Sequence, residues 1–140
     1  MKQVSPEEAA KLLEQGYVYV DVRSEPEFEQ GHPPGAFNVP ISHATPGGMV
    51  PNSEFVEVME RAFGKDARLI VSCKSGSRSK RALALLEQAG FTDLTEMPAG
   101  WSGTRDAFGR PQPGWVGAGL PVETGAPPEQ AYAGVKQRRR

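Results

Sequence analysis

Apolar positions along the chain follow two rhythms. Behind Ser5-Pro6-Glu7-Glu8, the residues Ala9, Leu12 and Leu13 recur at helical spacing. Ser5 is set to cap, Pro6 suits the first helical position and Glu8 completes a capping box, so a helix is predicted up to a stop at Gly16. Tyr17-Val18-Tyr19-Val20-Asp21-Val22 is β-branched and aromatic, which reads as a buried strand ending at the charged pair Asp21 and Arg23. Ser24 to Gln30 predicts a short helical turn. Prolines and Gly35 break the next stretch, leaving room for a very short strand near residues 36–39, and Ile41 to Pro51 reads as a loop with a Pro46-Gly47-Gly48 turn.

The rhythm then returns. Asn52 or Ser53 is placed to cap a second helix that carries Phe55, Val56, Met59 and Phe63 on one face and closes at Gly64. Ala67-Arg68-Leu69-Ile70-Val71-Ser72 is the best strand in the chain. Cys73 to Ser77 is a loop of small residues, and from about Arg78 a helix with Ala82, Leu83, Leu85 and Leu86 runs to Gly90. Asp93 to Met97 is a last short strand. Strands that alternate with helices predict an α/β fold: a central, mostly parallel sheet flanked by helices on both faces. After Pro98 the pattern fades into a Gly-rich stretch holding Trp101 and Trp115. Residues 1–124 form the expected domain, and residues 125–140, polar and ending in three arginines, read as a solvated, disordered tail.

Composition narrows the classes. At 140 residues the chain is one ordinary domain, long enough to need no disulfide or metal staple. The 16 Gly and 13 Pro imply many turns. A net charge of −1 argues against nucleic acid or membrane as partner. No apolar run approaches a membrane span, the N-terminus lacks the apolar stretch of a signal peptide, and one cysteine cannot form an internal disulfide; a cytoplasmic home follows as the default expectation.

That cysteine is the candidate chemistry. In Leu69-Ile70-Val71-Ser72-Cys73-Lys74-Ser75-Gly76-Ser77-Arg78-Ser79, a buried strand delivers Cys73 to its C-terminal end, where ligands bind in open α/β sheets. The following residues are small enough for backbone N–H groups to curl around a sulfur or an oxyanion, and they lead into a helix N-terminus. Arg78 brings a guanidinium able to grip an oxyanion with two hydrogen bonds, and Lys74 brings a second cation. All of these features favour thiolate, the nucleophilic form. A structural cysteine needs none of them.

These residues resemble the rhodanese family of sulfurtransferases. Cys73-Lys74-Ser75-Gly76-Ser77-Arg78-Ser79 is similar to that family's active loop, Asp21 through Gly31-His32 to Pro40 is similar to its N-terminal signature, and Gly119-Leu120-Pro121-Val122-Glu123 to its closing segment. The resemblance covers about residues 2–124. It implies a cysteine that takes sulfane sulfur from thiosulfate or a persulfide, becomes a persulfide, and passes the sulfur to cyanide, a small thiol or a protein cysteine. It implies Cys73 as nucleophile and Lys74, Ser75, Gly76, Ser77, Arg78 and Ser79 as the substrate cradle, with no metal or organic cofactor. Asp21 and Arg23, at a strand end, are supporting candidates, more simply read as a structural ion pair. His32 reads as a hydrogen-bonding turn residue and His43 as exposed.

Two departures stand out: Pro33 follows Gly31-His32 where the signature has an apolar residue, and residues 102–114 separate Trp101 from Trp115 like an insertion at the rim of the site. Arg105 and Arg110 lie within it. Two rival uses remain open. A cysteine phosphatase or arsenate reductase would also set a thiolate at a helix N-terminus, but only four residues lie between Cys73 and Arg78, one fewer than the phosphatase signature has. A rhodanese-like regulatory or binding module is the other, and such modules usually lack the cysteine.

Overall fold

The computed structural model describes all 140 residues. In chain order the elements are β1 (Lys2–Gln3), α1 (Pro6–Glu14), β2 (Val18–Asp21), α2 (Glu25–Gln30), β3 (Phe37–Asn38), β4 (Ser42–Thr45), β5 (Gly48–Pro51), α3 (Phe55–Phe63), β6 (Leu69–Ser72), α4 (Ser77–Gln88), β7 (Leu94–Glu96), β8 (Thr104–Arg105), β9 (Pro111–Gln112) and α5 (Tyr132–Val135). The local signals are realised as read at the first helix: Ser5 accepts from the Glu8 amide at 3.1 Å while Glu8 reaches back to the Ser5 amide at 2.8 Å.

Five strands form one parallel sheet in the order β1-β7-β6-β2-β3. Because side chains alternate across a strand, its two faces seed two cores. Val20, Leu69, Val71 and Cys73 point to the face covered by α3, α4 and α5, with Met59, Leu83 and Leu86 fully buried there. Tyr19 and Ile70 point to the other face, against Ala9 of α1, Phe28 of α2, Met97 and Trp115. Each large apolar side chain buried this way contributes about 2 kcal/mol. No helix is long and apolar enough to cross a membrane.

Two expectations are corrected. Residues 41–51 are not plain loop: β4 and β5 pair as an antiparallel hairpin around the predicted Pro-Gly turn. Residues 125–140 are not a solvated tail. Tyr132 and Val135 of α5 are 3% and 1% exposed in the main core, and the Tyr132 hydroxyl accepts from Asn52 Nδ2 at 2.9 Å. The Arg138 guanidinium lies over the rings of Phe37 and Phe63 and donates to the Ala62 carbonyl at 3.1 Å. Two apolar residues three apart and one arginine anchor a segment that is otherwise polar.

The expected insertion is also a hairpin, β8–β9. Its base is closed by bonds from the Trp115 amide to the Gly100 carbonyl and from the Val116 amide to the Trp101 carbonyl. The two tryptophans are therefore reunited at the hairpin's base, Trp115 edge-on to Tyr19 and Trp101 under the Arg23 guanidinium.

Candidate active site

β6 carries Cys73 to the C-terminal edge of the sheet, between the ends of β2 and β7. The chain then turns sharply at Gly76, whose φ of +105° is left-handed and whose missing side chain leaves room for the Pro98 carbonyl; a Cβ there would lie 2.9 Å from that oxygen. The turn aims backbone donors at the sulfur. The Gly76 amide lies 3.1 Å from Cys73 Sγ and the Ser79 amide 3.3 Å, while Ser79 Oγ sits at 3.5 Å and donates its own proton to the Gly76 carbonyl at 3.0 Å. Amide donors converging at a helix start stabilise negative charge on that sulfur.

A second strap holds the loop from outside. The amides of Trp101 and Ser102 donate to the Cys73 and Lys74 carbonyls at 2.8 and 2.9 Å. Gly100 (φ +66°) makes this approach possible, since a Cβ would lie 2.5 Å from the Lys74 carbonyl oxygen and 2.6 Å from that of Cys73. The loop's carbonyls are thus satisfied on one side, leaving its amides free to face the sulfur.

The cations are arranged differently from expectation. Arg78 does not reach freely into the cradle: its Nη1 and Nη2 donate to Glu27 Oε1 and Oε2 at 2.6 and 2.9 Å. That guanidinium, with the Ser24 cap, holds the Glu27 carboxyl down to about 2, and Glu27 in turn raises Arg78. Lys74 is exposed and makes no ion pair. Lys80 pairs with the buried Glu96 at 3.5 Å and Arg81 donates to Ser42 Oγ at 2.7 Å. Ser75 and Ser77 are exposed at the outer turn.

Asp21 and Arg23 form a buried two-pronged pair, 2.7 Å at its shortest, with Arg23 also donating to the Gly31 carbonyl at 2.6 Å. They bond each other and α2's exit rather than residues 73–79. His32 is fully buried, stacked on Phe28, with its ring nitrogens 3.0 and 2.8 Å from the carbonyls of Pro33 and Gly125, and it takes no part in the cysteine's hydrogen bonds. His43 is half-buried beside Tyr132. Glu27 and Gly100 were not singled out in the sequence. The Ser24-x-x-Glu27 capping pattern marks Glu27 as a helix residue, which hides its second contact.

The rhodanese-like domain model matches residues 5–107. The chain belongs to the rhodanese-like family. It is 38% identical over 120 residues to thiosulfate sulfurtransferase 16, chloroplastic, of Arabidopsis thaliana, covering 86% of this chain and 91% of that one. It is 40% identical over 93 residues to the senescence-associated protein DIN1 of Raphanus sativus, a match spanning 66% of this chain but only 51% of that relative's length. Among solved structures, the crystal structure of Rv0390 from M. tuberculosis superposes with a TM-score of 0.70 at 29% identity, covering 89% of this rhodanese-like chain and 98% of that one.

Proposed function

We propose that this rhodanese-like chain is a sulfurtransferase that carries sulfane sulfur as a persulfide on Cys73. The observation that carries this reading is the pair of amides, from Gly76 and Ser79, aimed at one sulfur atom at a helix start. The Cys73 thiolate attacks the outer sulfur of thiosulfate. The S–S bond of the donor breaks, its electron pair leaves with sulfite, and Cys73 becomes a persulfide anion. Cyanide or an acceptor thiolate then attacks the terminal sulfur, releasing thiocyanate or a new persulfide and restoring the Cys73 thiolate. Ser79 suits both stages, because its hydroxyl can turn from the Gly76 carbonyl toward the charged sulfur. The only cysteine is Cys73, so the sulfur must leave to an external acceptor. Cys73, the residues 74–79 around it and the thiosulfate donor are our assignment, supported by the family and by the relative's name.

Steady-state turnover of thiosulfate and cyanide tests it. The reading expects thiocyanate and sulfite in equal amounts, with parallel lines in double-reciprocal plots because the sulfur is held covalently between two half-reactions. Thiocyanate absent while Cys73 remains reactive points to another donor or to the phosphatase chemistry.

A further inference from the structure

The Glu27–Arg78 pair does more than tie α2 to α4. Glu27 is fixed at its own end: Oε1 also accepts from the Ser24 amide at 3.1 Å and the Ser24 hydroxyl at 2.9 Å, closing the capping box of α2. It cannot follow Arg78 without breaking that cap. Arg78, on a long side chain in the first turn of the helix that begins at the cysteine's cradle, is the partner able to move. The remaining cations near the loop are engaged. Arg23 is held by Asp21, Lys80 by Glu96 and Arg81 by Ser42, which leaves Lys74 exposed at the rim.

Resting on the sulfurtransferase reading, we infer that Glu27 is a positioning residue that acts as a resident competitor for Arg78: a doubly charged donor such as thiosulfate must displace the Glu27 carboxylate to gain the guanidinium. A donor that presents little charge beyond its sulfur needs no such exchange. Glu27 therefore sets donor preference, weakening thiosulfate relative to small-molecule persulfides. Acid does not open the pair in the working range, since the guanidinium keeps Glu27 ionised down to about 2. Only a competing anion does.

The test uses the full chain with Glu27→Gln, which keeps an acceptor at the N3 position of α2, and Arg78→Gln. Two readouts are taken: the KM for thiosulfate, and the sulfate concentration that half-protects Cys73 from iodoacetamide. We expect E27Q to lower both by about fivefold, the strength of a surface ion pair. In the R78Q background the same substitution should change either by less than about twofold, because the competitor then has nothing to hold. Glu27→Ala, which loses the cap as well, should shift protection in the same direction as E27Q. Unchanged or higher values in E27Q, or an equal shift with and without Arg78, overturn the competition. Sulfate protection that shifts while no sulfur is taken up from thiosulfate overturns the sulfurtransferase reading and leaves the competition standing.

Discussion

Two loops that follow neighbouring strands of the same sheet both curl backbone amides inward, and they end up opposite in character. The 73–79 loop follows β6 and the 104–112 hairpin belongs to the segment after β7. In the first, the amides of Gly76 and Ser79 converge on the Cys73 sulfur. In the second, the amides of Phe108 and Arg110 converge on Asp106 Oδ1 at 2.9 Å each, and the Arg110 guanidinium adds a bond to Oδ2 at 3.1 Å. These contacts hold the Asp106 carboxyl below its usual range. Asp106 thus fills the nest that the sulfur fills in the other loop. A tight turn aims backbone amides at one point, but what the curl does depends on whether it carries its own anion. Arg105 donates to the Gly109 carbonyl at 2.8 Å, so both hairpin arginines are used internally, and Phe108 at 82% exposure crowns the turn.

The comparison breaks most visibly at Gly100, where the two regions meet. Gly100→Ala adds a left-handed strain and a backbone clash with the loop's carbonyls, so it should lower stability by roughly 2 kcal/mol and the Tm by about 5–8 °C. Sulfur uptake should fall with it; a Gly100→Ala protein with wild-type Tm and uptake contradicts the strap. A smaller effect is expected from acid. Glu27 ionises at about 2 when folded against an ordinary value of 4.5, so the stability from its pair is complete above about pH 4.5 and is lost as pH falls toward 2. Thermal melts from pH 5 to 2 should therefore decline more steeply for wild type than for E27Q; parallel declines would remove the pair from the account. Asp106→Asn should do least. It should speed amide exchange at Phe108 and Arg110, move the Tm by less than about 3 °C and leave sulfur uptake within about twofold, since the groups bonded to the sulfur belong to Gly76 and Ser79 and not to the hairpin. A large loss of uptake would put the hairpin in the site.

What was legible in the sequence follows the range of the interactions. The parallel sheet, its helices and the cradle rest on local patterns: a Val- and Ile-rich run before Cys73, and small residues before the helix at Ser77. The pairing of Arg78 with Glu27 spans 51 positions and joins two helix starts, so spacing alone carried no trace of it. The β4–β5 hairpin was missed because Ser42-His43-Ala44-Thr45 is only weakly strand-forming and its outer strand is exposed. The C-terminal anchor was missed because two apolar residues in a single helical turn make no visible stripe, and the Arg138 stack exists only once Phe37 and Phe63 are brought together.

Intact mass after exposure to thiosulfate tests the central claim most directly. The account predicts that the wild-type chain gains one sulfur atom, about 32 Da, that a thiol or cyanide removes it, and that Cys73→Ser gains nothing. A gain that persists in C73S, or no gain in a wild-type chain whose thiol is intact, would contradict a persulfide on Cys73 formed from thiosulfate.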